Sequence, residues 1–449
     1  MSEEHIDAIV VGARCAGSAA ATALARAGRR VVALDAAKFP STTVSTHLLF
    51  AGGVAELHRL GALERVERLG PPRHFEAYIG TPGAAVSGSY TPVDGIAYGM
   101  CVRRAGLDLA LVETAREAGA DVREGVKVTE LLREGGRVVG VRAIARGVDG
   151  ELTLRAPLVI GADGRRSTIA RLVGAESPYL SHPNGRACYY AYYDDPRTDW
   201  HGTAAMWLTG RELGTAFPTD GGLVLCLLMP PKDRAEEFRL DLEGEFDRTV
   251  AMMPGLLARL EGCTRASKIV TSVEQPSYFR RSAGPGWALA GDAGHFKDPV
   301  TAQGIRDALR FGRLLGEAAA PVLGNPARLD AAVRAWERRR EAECRETYHW
   351  TNRLARADAV NPLQEQMLRM LAKEPHGSRR LLDVYSRARL PSRLLTPAFL
   401  ARCAAGAFGH RGTERRELLR TLAAEARTEA AVRSDLFRAR RAARAVERR

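Results

Sequence analysis

Hydrophobic positions in the first third of the chain fall into short β-branched runs separated by longer Ala/Leu-rich segments. Ile6-Asp7-Ala8-Ile9-Val10-Val11 reads as a strand that ends at Gly12. Residues 18–27 carry the Ala and Leu that a helix favours, and Gly28 stops it. Residues 30–34 read as the next strand, ending at Asp35. This is a βαβ half-unit, and its parallel strands are expected to be buried on both faces. Further on, the pattern predicts a helix over 107–118 closed by Gly119. Strands around 126–128 and 138–145 follow, turned at Gly135-Gly136, and then a buried strand over 156–160.

From about 181 to 280 the period becomes that of antiparallel strands, over 187–193, 204–208 and 223–228. Turns are expected at Asp194-Asp195-Pro196 and Asp220-Gly221-Gly222. Residues 287–290 give one more buried strand, followed by a helix over 304–320, and beyond 325 every segment has a helical pattern. There is no internal repeat and no low-complexity linker. The expected architecture is α/β: a nucleotide-binding frame in two parts, 1–180 and 281–345, enclosing a substrate-binding sheet over 181–280, with a helical region over 346–449.

Composition changes this picture in three places. The chain has 449 residues, 45% of them hydrophobic and 27% charged, which fits a folded chain of two to three domains. The longest central apolar stretch, 223–229, is too short to span a bilayer, so no membrane partner is expected. The start Met1-Ser2-Glu3-Glu4 is acidic, and the seven cysteines form no CxxC pair. Both point to a cytoplasmic protein with reduced thiols and no zinc site. The net charge of +13 is uneven: residues 401–449 hold 13 Arg against 6 acids. Sixty Arg against six Lys, beside many Ala, reads as a coding bias rather than a nucleic-acid surface.

The candidate chemistry lies in three glycine-bearing turns, each following a strand. Gly12-Ala13-Arg14-Cys15-Ala16-Gly17 stands where a dinucleotide fingerprint has its glycines, with Arg14 in place of the second. Gly12 permits the tight turn and Gly17 the close helix–strand contact, while the helix N-terminus faces a pyrophosphate. Asp35, 23 residues after Gly12, is placed to accept hydrogen bonds from a ribose. The other two turns are Gly161-Ala162-Asp163-Gly164-Arg165-Arg166-Ser167 and the run from Gly291-Asp292 through Asp298-Pro299 to Gln303-Gly304.

In this order, the three turns resemble those of the single-component FAD-dependent monooxygenases typified by p-hydroxybenzoate hydroxylase. Flavin halogenases and geranylgeranyl reductases share that scaffold. The resemblance covers about residues 1–350 and implies a Rossmann-like FAD-binding domain with an inserted antiparallel-sheet substrate domain. It implies FAD as cofactor, NADPH or NADH as co-substrate, and O2-dependent hydroxylation of a small acidic or aromatic substrate through a C4a-hydroperoxyflavin. Carried over residue by residue, Gly12, Arg14, Cys15 and Gly17 lie at the pyrophosphate turn and Asp35 at the ribose. Arg104 reaches the flavin, Asp163 lies near the pyrophosphate and nicotinamide cofactor, and Asp292 holds the ribityl chain. Pro299 lies on the flavin face where oxygen reacts, and the N–H groups of Gln303 and Gly304 stabilise charge on the reduced ring. Arg14, Arg104 and Arg165-Arg166 are then available to the phosphates of both dinucleotides or to an acidic substrate. The chain lacks the Trp-x-Trp-x-Ile-Pro stretch of the halogenases and the Tyr-x-Trp-x-Phe-Pro stretch of the isoprenoid reductases, which favours hydroxylation.

Substrate-side candidates each have two readings. His47 is a proton relay with a pKa suited to neutral pH, or a helix-start histidine bonded to backbone. Tyr190 and Tyr192 share one strand face and either line the pocket or pack as strand aromatics. Asp298 either carries protons beside Pro299 or caps the turn. Cys15 at a helix start has either a lowered pKa or a filling role, and His295 is a packing residue of its motif. The basic run 438–444 is expected to be frayed and solvated.

Overall fold

The computed structural model describes residues 3–147, 150–409 and 415–447. The predicted βαβ unit is present as β1 (Ala8–Val11), α1 (Cys15–Arg26) and β2 (Val31–Asp35). The two strands are parallel and every residue in them is buried. α1 starts three residues earlier than its composition suggested and buries Ala16, Ala19, Ala20, Ala21 and Leu24. A helix buried on nearly all sides needs small apolar residues throughout, so its alanines serve close packing as much as helix propensity.

β1 and β2 lie in a six-stranded sheet with α2 (Arg104–Glu117) packed against α1. The sheet order is Ala283–Gly284, Trp287–Leu289, Val159–Gly161, β1, β2, Asp121–Glu124. With β3 (Val159–Gly161) and β4 (Trp287–Leu289), the central strands run parallel and in register: Val11 is opposite Gly161, and Gly161 is opposite Leu289. Their carboxyl ends therefore stand level, and the three motif turns leave adjacent strands at one edge of the sheet. In an open α/β sheet this edge is where ligands bind.

The second sheet has ten strands and is mainly antiparallel. Three match the predicted segments: Cys188–Asp194, Thr203–Thr209 and Leu223–Leu228. A fourth, Glu212–Thr219, is buried along its whole length between the last two; Pro218 within it hides it from a propensity reading. The sheet also takes strands from outside 181–280. Glu76–Thr81 pairs in parallel with Thr203–Thr209, Ala84–Ser89 forms the edge, and Met100–Cys101 pairs with Glu212–Thr219. The Gly135-Gly136 hairpin joins Val126–Glu134 to Arg137–Ala145, with both glycines at positive φ.

Beyond residue 300 the longer helices are α3 (Gly304–Ala319), α4 (Pro326–Ala355), Pro362–Lys373, α5 (Gly377–Tyr385), Pro397–Phe408 and α6 (Arg415–Glu447), with shorter turns between. α4 runs unbroken across position 345, where the sequence suggested a boundary. On α6, Leu418 is fully buried, Leu422 is half-buried and Ala426 is exposed. α6 continues helical through the basic run 438–444, whose side chains from 440 onward lie outside the described residues. Among the described residues, no helix is long and apolar enough to cross a membrane.

Candidate functional site

The first two turns meet across β1 and β3. Gly12 has φ +96°, and a Cβ there would lie 2.4 Å from the carbonyl oxygen of Ala162. A Cβ on Gly17 would lie 1.7 Å from the Gly12 carbonyl oxygen. Both positions accept only glycine, which explains why the fingerprint keeps these two and loses the middle one. Arg14 is tolerated because its side chain leaves the turn. It ion-pairs with Asp108, and its guanidinium donates to Oγ of Ser41 at 2.9 Å and to the Ser41 carbonyl at 3.3 Å.

Asp108 has no exposed side-chain surface and also receives Arg104, from Nε at 3.1 Å and from Nη2 at 2.8 and 3.0 Å. Two guanidiniums share one carboxylate, leaving the trio with a net positive charge. Sequence reasoning missed Asp108, although the i,i+4 spacing from Arg104 on α2 was a usable signal. Cys15 Sγ lies 3.5 Å from Asp108 Oδ1. Burial pushes its thiol up to about 12, so the lowered pKa expected at a helix start is not found.

The three acidic residues of the motifs divide by their partners. Asp35 accepts from the Ala13 N–H at 2.8 Å and the Ala37 N–H at 2.8 Å, so it braces the first turn. Asp163 accepts from Oγ of Ser167 at 2.5 Å and from the N–H groups of Thr168 and Ile169. These donors use it as a cap on the short helix Thr168–Leu172. Asp292 is half-buried beside the charges of Arg165, Arg104 and Lys297, and burial still raises its carboxyl above the usual range. Arg104 and Asp292, from different motifs, therefore lie within electrostatic reach of each other. Gly304, which lines one cleft with Asp292, opens α3, where a Cβ would meet nothing within 4 Å.

The segment before α3 turns its charged residues inward. Lys297 Nζ lies 3.0 Å from Nε2 of His295 and forms an ion pair with Asp307. His295, Asp307 and Cys344 converge around it, so the ammonium supplies the cation of this cluster. His295 stacks on Phe279 with ring centres 3.9 Å apart, as expected of a packing residue. Asp298 caps the turn, accepting from the Val300 N–H at 3.0 Å, while its Oδ2 is buried without a partner among the described residues. Its burial pushes the carboxyl up to about 7. Gln303 donates from Nε2 to the carbonyls of Thr301 and Tyr385, and its Oε1 is buried without a described partner.

His47, Tyr190 and Tyr192 come together. Nε2 of His47 shares a 2.9 Å hydrogen bond with the Tyr192 hydroxyl, and the Tyr190 ring meets the imidazole edge-on at 5.4 Å. On the opposite strand face, Tyr189 stacks on Phe238 at 3.9 Å. His47 has φ +62° and is 1% exposed. Burial pushes its pKa down to about 3, helped by the nearby charges of Arg104 and Arg103. The neutral-pH titration expected for this residue is therefore absent; His47 stays neutral in ordinary buffers.

Beside this trio lies an apolar cavity. Its walls come from Thr46 and Leu48, from large-sheet residues such as Met206 and Phe217, and from the 299–302 turn, including Pro299. Leu382 and Tyr385 of α5 complete it. No charged side chain lines it, so an acidic substrate would find no counter-charge there.

A Rossmann-type sheet, three level glycine-bearing turns and a cleft lined by Asp292 and the start of α3 define an FAD-dependent oxidoreductase. Residues 5–184 match an FAD binding domain. The chain is 31% identical over 336 residues to menaquinone reductase of Mycolicibacterium smegmatis, covering 69% of this chain and 75% of that protein. It is 25% identical over 327 residues to digeranylgeranylglycerophospholipid reductase 2 of Methanococcoides burtonii, covering 72% and 76%. Among solved structures, the flavin-dependent brominase Bmp2 aligns with TM-score 0.74 and 18% identity over 89% of this chain and 98% of its own. PqsL of Pseudomonas aeruginosa aligns with TM-score 0.65 and 20% identity over 85% and 100%. The chain belongs to the FAD-dependent oxidoreductase family whose scaffold these reductases, halogenases and monooxygenases share.

Proposed function

We propose that this oxidoreductase reduces an apolar, unsaturated substrate of prenyl-lipid type with electrons from NAD(P)H. The cavity carries the reading: its walls are apolar and uncharged, which suits an isoprenoid chain and not a small acid. The reductases among the relatives support it, since their names specify menaquinone and a geranylgeranyl lipid as substrates. The chain lacks the Tyr-x-Trp-x-Phe-Pro stretch, yet it aligns with these reductases over about 70% of its length.

FAD, when bound, supplies hydride transfer between the nicotinamide and the substrate. Arg104 and Asp292 would hold it from two sides, and the N–H groups at the start of α3 would steady charge on its ring. The chain's own part is to exclude water, orient the substrate against the 299–302 turn and supply a proton. Asp298 is the nearest carboxyl to that turn and keeps its proton to about pH 7. The Tyr192 hydroxyl, bonded to neutral His47, is the second proton-bearing group.

Hydroxylation with O2 is the second reading, favoured by Pro299 forming part of the cavity wall. The test is to reduce the FAD-loaded protein with NADPH in the absence of oxygen and then add geranylgeraniol. Reoxidation of the flavin by the alcohol alone is expected. A flavin that stays reduced until air is admitted would exclude the reductase reading.

A further inference from the structure

We propose that Tyr385 sets the size limit of the substrate cavity, which makes the C-terminal helical region part of the specificity apparatus. This inference rests on the cavity being the substrate site. Tyr385 ends α5 and, with Leu382 one turn earlier, supplies the cavity wall that neither sheet reaches. No sequence motif marks either residue; the chain brings them to the 299–302 turn only by folding back across more than eighty positions.

The wall is held rigidly. The Tyr385 carbonyl accepts from Nε2 of Gln303 at 2.7 Å, which ties the end of α5 to the start of α3. Ser386 packs on the N-terminal turn of the helix Ala51–Arg59: a Cβ on Gly52 would lie 2.1 Å from the Ser386 carbonyl oxygen. Arg387, at φ +64°, donates to the Glu343 carbonyl at 2.8 Å and stands 3.9 Å from Asp307. Three successive residues therefore clamp the turn onto three separate helices.

Aromatic rings, not solvent, flank the Tyr385 ring. Trp350, which is not part of the cavity wall, meets it edge-on at 4.8 Å, and Phe50, itself part of the wall, is tilted against it at 5.6 Å. Its hydroxyl makes no hydrogen bond to a described residue, so the side chain acts through its volume. Shortening it opens the cavity inward, toward an apolar layer that can receive a longer chain.

The test measures binding of geraniol, farnesol and geranylgeraniol to the FAD-loaded protein by equilibrium dialysis, for wild type, Tyr385→Leu, Leu382→Ala and Tyr385→Phe. Tyr385→Leu is expected to shift the preference toward the next longer alcohol by roughly tenfold. Leu382→Ala should shift it in the same direction, and Tyr385→Phe should keep the wild-type order. Far-UV circular dichroism and flavin content establish which variants are folded, and Leu382→Ala carries the test if Tyr385→Leu is not. If wild type binds the series and the folded variants keep its order, Tyr385 does not set the limit, and the cavity reading survives. A shift in Tyr385→Phe equal to that in Tyr385→Leu would also overturn the inference, because the hydroxyl would then be responsible. If wild type binds none of the three, both the cavity reading and this inference fall.

Discussion

Arg14 is ion-paired to Asp108, a carboxylate with no exposed side-chain surface, across 94 positions of sequence. The pair explains how an arginine fits the fingerprint turn. Removing Asp108 leaves two buried or half-buried guanidiniums without their shared counter-charge, whereas removing Arg14 leaves Asp108 bonded to Arg104. Asp108→Asn is therefore expected to lose about 3–5 kcal/mol of stability, and Arg14→Gly distinctly less, in thermal unfolding of the two variants. Because its guanidinium is committed to Asp108 and Ser41, Arg14→Gly should retain near-normal FAD content.

Asp292 gives the complementary result. Its carboxyl faces the cleft and is not committed to a helix start as Asp163 is. Asp292→Ala is expected to lose most of its flavin, since a hydrogen bond to a charged acceptor contributes about 1.5–3 kcal/mol. Asp163→Ala should chiefly lower the melting temperature. Flavin absorbance of the two purified variants, measured beside their unfolding curves, separates the roles.

His47 predicts an acid-side slope. Its folded pKa of about 3 lies below the unfolded value of 6.5. Between these values the unfolded chain holds the extra proton, so stability falls as pH falls, at up to about 1.4 kcal/mol per pH unit. His74, fully buried and pushed down to about 4, adds to the same slope. His47→Gln should melt with a shallower loss between pH 6 and about pH 4, whatever its absolute stability.

Asp298 predicts the opposite trend. Its carboxyl is raised from 3.8 to about 7, so the folded state holds a proton that the unfolded chain has released. The stability tied to that proton is complete below pH 3.8 and is lost as pH rises to about 7. Asp298→Asn should therefore gain in melting temperature relative to wild type across this window and level off above it. If Asp298 is also the proton donor, the same variant loses the limb of the pH–rate profile near 7.

The strands that carry the three turns were legible in the sequence because each is a short buried run closed by glycine. The level register of Val11, Gly161 and Leu289 then follows from parallel pairing. What was not legible depends on distant contact. The pairing of Glu76–Thr81 with Thr203–Thr209 leaves no local periodicity, and Pro218 masks a strand that lies at the centre of its sheet. The residues of Asp163 and Asp292 look alike in a motif, yet one meets three local donors and the other meets a cleft. His47 was readable as a candidate, but its neutrality comes from burial and from Arg103 and Arg104, which approach from another element. Tyr385 had no local signal at all.

The central claim is reduction of an apolar substrate, and the mass of the product tests it most directly. The FAD-loaded protein is incubated in air with NADPH and geranylgeraniol, and the product is analysed by mass spectrometry. A product that has gained two hydrogen atoms is the predicted result; a product that has gained one oxygen atom would contradict it and establish the chain as a monooxygenase.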